Sequence, residues 1–178
     1  MAESFTNSLS RAVGVVTTSS SGAVGVTTNQ ITGISTVGIS SNYLVDNQHY
    51  IFGTRVTRVG ISSVWVDRNS TNETAATSQS VKFLGLTSCY TNGTEKAILI
   101  GGTFANNTRN QVNLFVEVHD SSTNTIAGIA QKIPVPTGSS FVITDAGKTL
   151  LEATDSVRVY CDTANAIDVN LSILKGVS

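Results

Sequence analysis

Short segments in which apolar and polar residues alternate recur along almost the whole chain, and no stretch keeps a helical spacing for long. In "NLFVEVHD" Leu114, Val116 and Val118 fall on one side, and Phe115, Glu117 and His119 on the other. In "IDVNLSIL" Ile167, Val169, Leu171 and Ile173 alternate with Asp168, Asn170 and Ser172. Successive side chains of a strand point to opposite faces, so a period of two marks a strand with one face in a core. The segments are short and are separated by Gly, Asn and Ser turn signals, which fits hairpins and meanders rather than βαβ units. The expected fold class is all-β: a small β-barrel or meander module, then an antiparallel β-sandwich, with an extended N-terminal arm.

Three regions separate on this reading. Residues 1–30 are rich in Ser, Thr, Gly and Val and too poor in large apolar groups to build a core, so they are expected to form the arm. The one helical possibility there is "SFTNSLSRAVG", where Ser4 or Thr6 would cap a turn carrying Phe5, Leu9 and Val13. Residues 31–92 read as the small β module, and 93–178 as a sandwich of immunoglobulin-like or jelly-roll type. Pro134 and Pro136 put "IPVP" at a sheet edge or strand end, because neither can donate a ladder hydrogen bond.

Charge narrows the function classes. Only 13% of residues are charged and the net charge is −1, so the surface is polar without being charged. The basic residues are scattered singly among the acids and form no stripe for a phosphate backbone, which argues against nucleic acid. Arg55, Arg58 and Arg68 are the nearest thing to a patch and read as solvated strand arginines. No signal peptide is evident at the N-terminus, and no apolar run approaches the ~20 residues of a membrane helix. The Asn-x-Ser/Thr sequons at Asn69, Asn72, Asn92, Asn106 and Asn170 read as accidents of an Asn- and Thr-rich sequence. Cys89 and Cys161 are expected to be separate, half-buried thiols, with a single bridge left open.

Chemistry-bearing residues are sparse. The only histidines are His49 and His119. Asp46 and Asp120 stand near them in sequence, but no GxSxG elbow accompanies either, so turn groups at strand ends are expected to satisfy both. "DRNSTNE" and "DSSTN" have oxygen-rich spacing but fail the calcium-loop pattern and read as Asx-type turns. No catalytic, cofactor or metal residues are therefore expected. Tyr43, Tyr50, Tyr90, Tyr160 and Trp65 are expected in the core or as subunit-interface anchors, with Tyr43, Tyr50 and Trp65 the interface candidates.

The run from "ITGIST" to "SVKFLGL" resembles a β module that recurs in phage virion proteins and fibres. The matching stretches are "GTRVTRVG", "SVWVDRNSTNETAAT" and "SVKFLGL", while "DNQHYIFG" stands where that pattern has Gly and Pro. The second half is similar to small structural proteins of tailed phages, notably those infecting cyanobacteria. It matches through "KAILIGGTFANNT", "KIPVPTGSSFVI" and "LLEATDSVRVYCDTANAIDVNLSIL", and the opening "MAESFTNSLSRAVG" also matches.

The resemblance implies a non-enzymatic virion protein, assembled in the host cytoplasm. Its role would be capsid decoration or cement, or a neck or tail accessory. It would form a homo-oligomer and bind other virion proteins such as the major capsid, portal, neck or tail proteins. An alternative is a fibre-type adhesin module that reads host glycans. Within the arm, Phe5, Leu9, Val13, Val15 and Val16 are the apolar residues expected to dock on a neighbour. The segment "NSTNETAATSQ" carries almost no chemistry, and is expected to be a connection that packs and hydrogen-bonds against its surroundings.

Overall fold

A computed structural model describes residues 3–144 and 148–177 of the chain; residues 1 and 2 of the expected arm and 145–147 and 178 of the expected sandwich lie outside the described residues. All regular structure among the described residues is β, as the alternation predicts. The chain divides into two units: Met1–Gly14 with Thr87–Ser178, and Val15–Leu86.

The first unit holds β1 (Ser4–Val13), β8 (Thr87–Thr91), β9 (Ala97–Asn106), β10 (Val112–Asp120), β11 (Thr125–Val135), β12 (Ser140–Ile143), β13 (Thr149–Leu151), β14 (Ser156–Cys161) and β15 (Ile167–Lys175). One sheet runs β1-β15-β9-β12, with β13 also on β9; the other runs β11-β10-β14-β8. Every pairing is antiparallel. From β8 onward the chain crosses between sheets at every step except the β10–β11 hairpin and the β12–β13 step. That interleaving is the jelly-roll connection, which decides between the two sandwich types the sequence allowed.

The core is what the alternation supplies. Ile167, Val169, Leu171 and Ile173 of β15 and Phe104 of β9 share one core with Val112, Leu114 and Val116 of β10 and Val157 and Val159 of β14. Each fully buried side chain of this size contributes roughly 1.5–3 kcal/mol through lost apolar surface. Cys89 and Cys161 lie in the same core, unbridged and fully rather than half buried. Pro134 sits in β11, which pairs only with β10, so its missing N–H falls on a sheet edge as its chemistry requires.

The second unit holds β2 (Val15–Val24), β3 (Gln30–Thr32), β4 (Leu44–Asp46), β5 (Val56–Val59), β6 (Ser63–Val66) and β7 (Ala76–Gly85), in the sheet order β4-β7-β2-β3-β6-β5. The sheet curls into a half-barrel. Its two ends meet where Leu44 bridges Arg55, beside the Val45 N–H donating to the Thr54 carbonyl at 2.8 Å. Ile31, Val64, Val66, Val81 and Phe83 fill its interior.

The connection after β6 answers for its bland composition. The Ser70 hydroxyl donates to the Gly25 carbonyl (2.8 Å) and accepts from the Thr28 N–H (3.0 Å). The Thr71 N–H donates to the His49 carbonyl at 2.8 Å, and the Asn72 amide donates to the carbonyls of Val24 and Thr74. Short hydroxyl and amide side chains staple this segment to the half-barrel with little rotamer entropy to lose.

The N-terminal region differs from the expected arm. Residues 4–13 are neither helix nor free extension: they form β1, paired with β15 from Ser4 opposite Lys175 to Val13 opposite Ile167. Residues 15–24 form β2, paired with β7. A lone arm of this composition would not offset its ordering entropy, but strand pairing with β15 and β7 gives the segment two partners within the chain. The module boundaries consequently fall at Gly14/Val15 and Leu86/Thr87, not at 30/31 and 92/93. Gly14 marks the first passage between units. Its φ is 133°, and a Cβ there would collide with the Thr163 carbonyl. Its own carbonyl accepts the Asn165 N–H at 3.0 Å.

Candidate interaction face on the five-stranded sheet

The outward side of the five-stranded sheet is assembled from the residues that alternate with the core. On β1, Thr6, Ser8 and Ser10 turn inward while Phe5, Asn7, Leu9 and Arg11 turn out. The inward positions stay small because the Ser8 hydroxyl donates to the Cys89 carbonyl at 2.7 Å, and Ser10 hydrogen-bonds the Cys89 thiol.

Register then aligns the outward residues in rows. Phe5 stands opposite Leu174, Leu174 opposite Ile98, and Ile98 opposite Leu150. A second row runs Leu9, Asn170, Thr103, Val142. Phe5 and Leu9 are 79% and 74% exposed, and Val142 and Leu150 about half. Four large apolar side chains thus face solvent on this one sheet, while Val37 and Ile61 are exposed on the other unit.

Beside Leu9 the face dips into a shallow depression of about 410 Å³, lined by Leu9, Arg11, Thr103, Ala105, Asp168 and Asn170 among others. An Asp168 carboxylate oxygen accepts the Ala12 N–H at 2.8 Å and the Asn107 amide at 3.2 Å. Ala12 sits at φ 56° inside a register shift of β1, so Asp168 holds a β-bulge in place at the rim. The depression is mainly apolar, with Arg11, Thr103, Asp168 and Asn170 among the residues around it.

The five residues expected to dock divide. Phe5 and Leu9 lie on this face. Val13 does not: it is buried in the jelly-roll core, because the bulge at Ala12 turns the last residue of β1 inward. Val15 is exposed and Val16 half-buried, both on β2 of the other unit. Among the aromatic candidates, Tyr50 is a core residue at 4% exposure, and burial pushes its hydroxyl pKa up to about 12. Tyr43 packs against the same core. The Arg58 guanidinium stacks on the Trp65 ring at 3.5 Å from its centre, so Arg58 is a cation–π partner and not simply a solvated arginine. Arg68 donates to the Phe52 carbonyl at 2.9 Å.

The polar constellations resolve into turns. Asp120 accepts the N–H and hydroxyl groups of both Ser122 and Thr123, and these bonds hold its pKa down at about 2. Asp67 accepts the Arg55 N–H at 2.8 Å. His119 contacts the Asn124 side-chain oxygen at 3.1 Å and His49 the Gln48 amide at 3.3 Å, each a neighbour in a strand-end turn. Among the described residues no group of three or more His, Cys, Asp or Glu side chains is arranged to hold a metal ion.

Two residues read as stray sequons carry structural weight. Asn92, buried beyond β8, puts its amide nitrogen within 2.6–3.0 Å of the carbonyls of Glu95, Leu151 and Glu152 and accepts the Tyr90 hydroxyl. Asn106, buried at the end of β9, puts its amide nitrogen within 2.8–3.1 Å of the carbonyls of Asn110, Val135 and Pro136 and accepts from Thr108. Each latches one end of the sandwich. Their signal in the sequence was only an Asn at a strand end before a turn.

No protein-family model matches the chain, and no curated protein is significantly similar to it. Among solved structures, it is similar at 11% identity and a TM-score of 0.31 to the CBM22-1–GH10 modules of the Clostridium thermocellum endo-1,4-beta-D-xylanase 10B, in complex with xylohexaose. That similarity covers 90% of this chain and 29% of the xylanase chain, so the chain spans less than a third of the length of its structural neighbour.

Proposed function

We propose that the chain is a non-enzymatic structural protein of a phage virion, a capsid decoration or cement protein or a neck or tail accessory, which works through contacts made by folded β-sheets. The observation that carries this reading is the pair of outward rows on the five-stranded sheet, above all Phe5 and Leu9 at 79% and 74% exposure. Exposed apolar rows flanked by small hydroxyl and amide groups suit a protein whose surface is buried on assembly, since few charges must be desolvated. Jelly rolls serve in viral capsids, and also in lectins, so the fold supports the class by analogy alone. The test is to look for the chain's peptides in purified particles and then for its density in an intact-particle map. A position on the capsid lattice favours cement and a ring on the portal axis a neck protein; absence from particles sinks the reading.

A second reading, a fibre-type module that binds glycans, draws support from the depression beside Leu9, where Arg11, Thr103, Asp168 and Asn170 present donors and acceptors together. Sugar hydroxyls pair well with such a mixture. A glycan array with the intact chain separates the two readings. Binding that falls on Asn170→Ala favours the adhesin, and an empty array leaves assembly as the function of this face.

A further inference from the structure

We infer that β1 is a homotypic edge: two copies of this chain join antiparallel along β1, with Asn7 of each facing Asn7 of the other. The inference rests on the assembly reading and names its first partner as a second copy of the same chain.

The other sheet edges of the jelly roll are guarded. β11 carries Pro134 and a register shift at Lys132, which has a φ of 55°. β8, β12 and β13 are five, four and three residues long. Prolines, bulges and short strands are the devices by which proteins keep an edge from pairing with another chain. β1 has none of them over most of its ten residues. It pairs with β15 alone, its outward groups include Phe5 and Leu9, and its one bulge begins only after Ser10.

The outward residues are self-complementary. Reading every second position from Glu3, one residue before the strand, gives Glu3, Phe5, Asn7, Leu9, Arg11. Laid antiparallel on itself about Asn7, this series puts Phe5 opposite Leu9 of the second copy, and Glu3 opposite its Arg11. Two-fold symmetry repeats both pairs, as an isologous contact demands. Neither Glu3 nor Arg11 has an ion-pair partner among the described residues. The inward series is equally accommodating, with Ser4 opposite Ser10 and Thr6 opposite Ser8. The bulge at Ala12 ends the straight edge just beyond Arg11, so the pairable window is centred on Asn7. It offers about 30 Å of unpaired ladder. Cross-strand apolar pairs and opposite charges stabilise such a pairing, and like charges oppose it.

The experiment uses the full chain. Sedimentation velocity should show a dimer. Mild oxidation of Asn7→Cys should give a disulfide-linked dimer much faster than Thr94→Cys, an exposed loop control; native Cys89 and Cys161 are buried and stay out of the reaction. E3R or R11E alone should weaken dimerisation about tenfold or more, because each turns both symmetry-related pairs into like charges. The double variant E3R/R11E should restore it. A monomer at every concentration, cross-linking no faster than the control, or a dimer indifferent to E3R overturns the inference. These outcomes are separate from the particle experiment: a monomer in solution that is still found in particles would overturn the edge pairing alone.

Discussion

Phe5 and Leu174 face each other across the β1–β15 ladder, and the row they begin continues through Ile98 to Leu150 without a polar interruption. Phe5 is far more exposed than a residue kept for the stability of its own unit would be. Replacing Phe5 and Leu9 together with Asn should therefore leave folding stability within about 1 kcal/mol of the parent, as for other surface changes. Solubility should rise and incorporation into particles should fall. The check is a urea unfolding curve beside a quantitative particle-incorporation assay; a large loss of stability would reassign both residues to folding.

Asn106 should behave in the opposite way. Its amide bonds three carbonyls, of which Asn110 and Pro136 keep hydroxyl donors from Thr108 and Ser139 and Val135 is the fully buried one. Losing a buried hydrogen bond costs about 1–3 kcal/mol, and a loss in that range is expected, as for Asn92→Ala. Asn170→Ala, on the outward face of β15, should cost less than about 0.5 kcal/mol. Denaturant midpoints for the three variants test the ranking.

Gly14→Ala should destabilise the jelly roll by at least about 2 kcal/mol. The substitution forces a side chain into a positive-φ conformation and against the Thr163 carbonyl at once. Gly138→Ala, which also has positive φ but open space around its Cβ position, should cost only the backbone strain, about 1 kcal/mol. Thermal melts of the two variants separate strain from collision.

Alkali should weaken the two units in different windows. Burial raises the Cys89 thiol from 9.0 to about 11, against a smaller opposing effect of its Ser10 hydrogen bond. In the unfolded chain the thiol ionises first, so the folded jelly roll binds more protons and its stability falls as pH rises from about 9 towards 11. Tyr50, raised from 10.0 to about 12 by burial, imposes the same loss on the half-barrel between about 10 and 12. At pH 8 only about one in a thousand Cys89 thiols is ionised, so alkylation of the native protein should be negligible and should appear on unfolding. Rapid native labelling would contradict the burial.

How much of this was legible beforehand depends on where each strand finds its partner. β15 announces itself, because large apolar groups alternate with polar ones in "IDVNLSIL", and β10 does so in part, since its second face also buries Phe115 and Glu117. β1 does not. Its inward residues are Thr6, Ser8 and Ser10, held small by the backbone of β8, and its partner strand lies at the far end of the chain. Taken locally, residues 4–13 are a polar tract with the look of an arm. The same separation hid the unit boundaries. A fragment starting at Thr94 lacks β1 and β8, and with them Val13, Cys89 and Tyr90 of the core; it should melt without cooperativity. Residues 15–86 contain all six strands of the half-barrel and should fold alone. Circular dichroism melts of both fragments decide this. The candidate face was half legible: Phe5 and Leu9 stood out by size, but only register reveals that they line up with Leu174, Ile98, Asn170 and Thr103.

Val15 and Gly85, at the start and near the finish of the segment that builds the half-barrel, are partners in its β2–β7 ladder. From the side of the jelly roll, seventy-two residues thus leave and return side by side, as a tight hairpin turn would. Such a segment is a cassette. Replacing it with a short turn should leave the host's strand order intact, and relatives of this chain can be sought as bare jelly rolls or as jelly rolls carrying a different insert at the same joint.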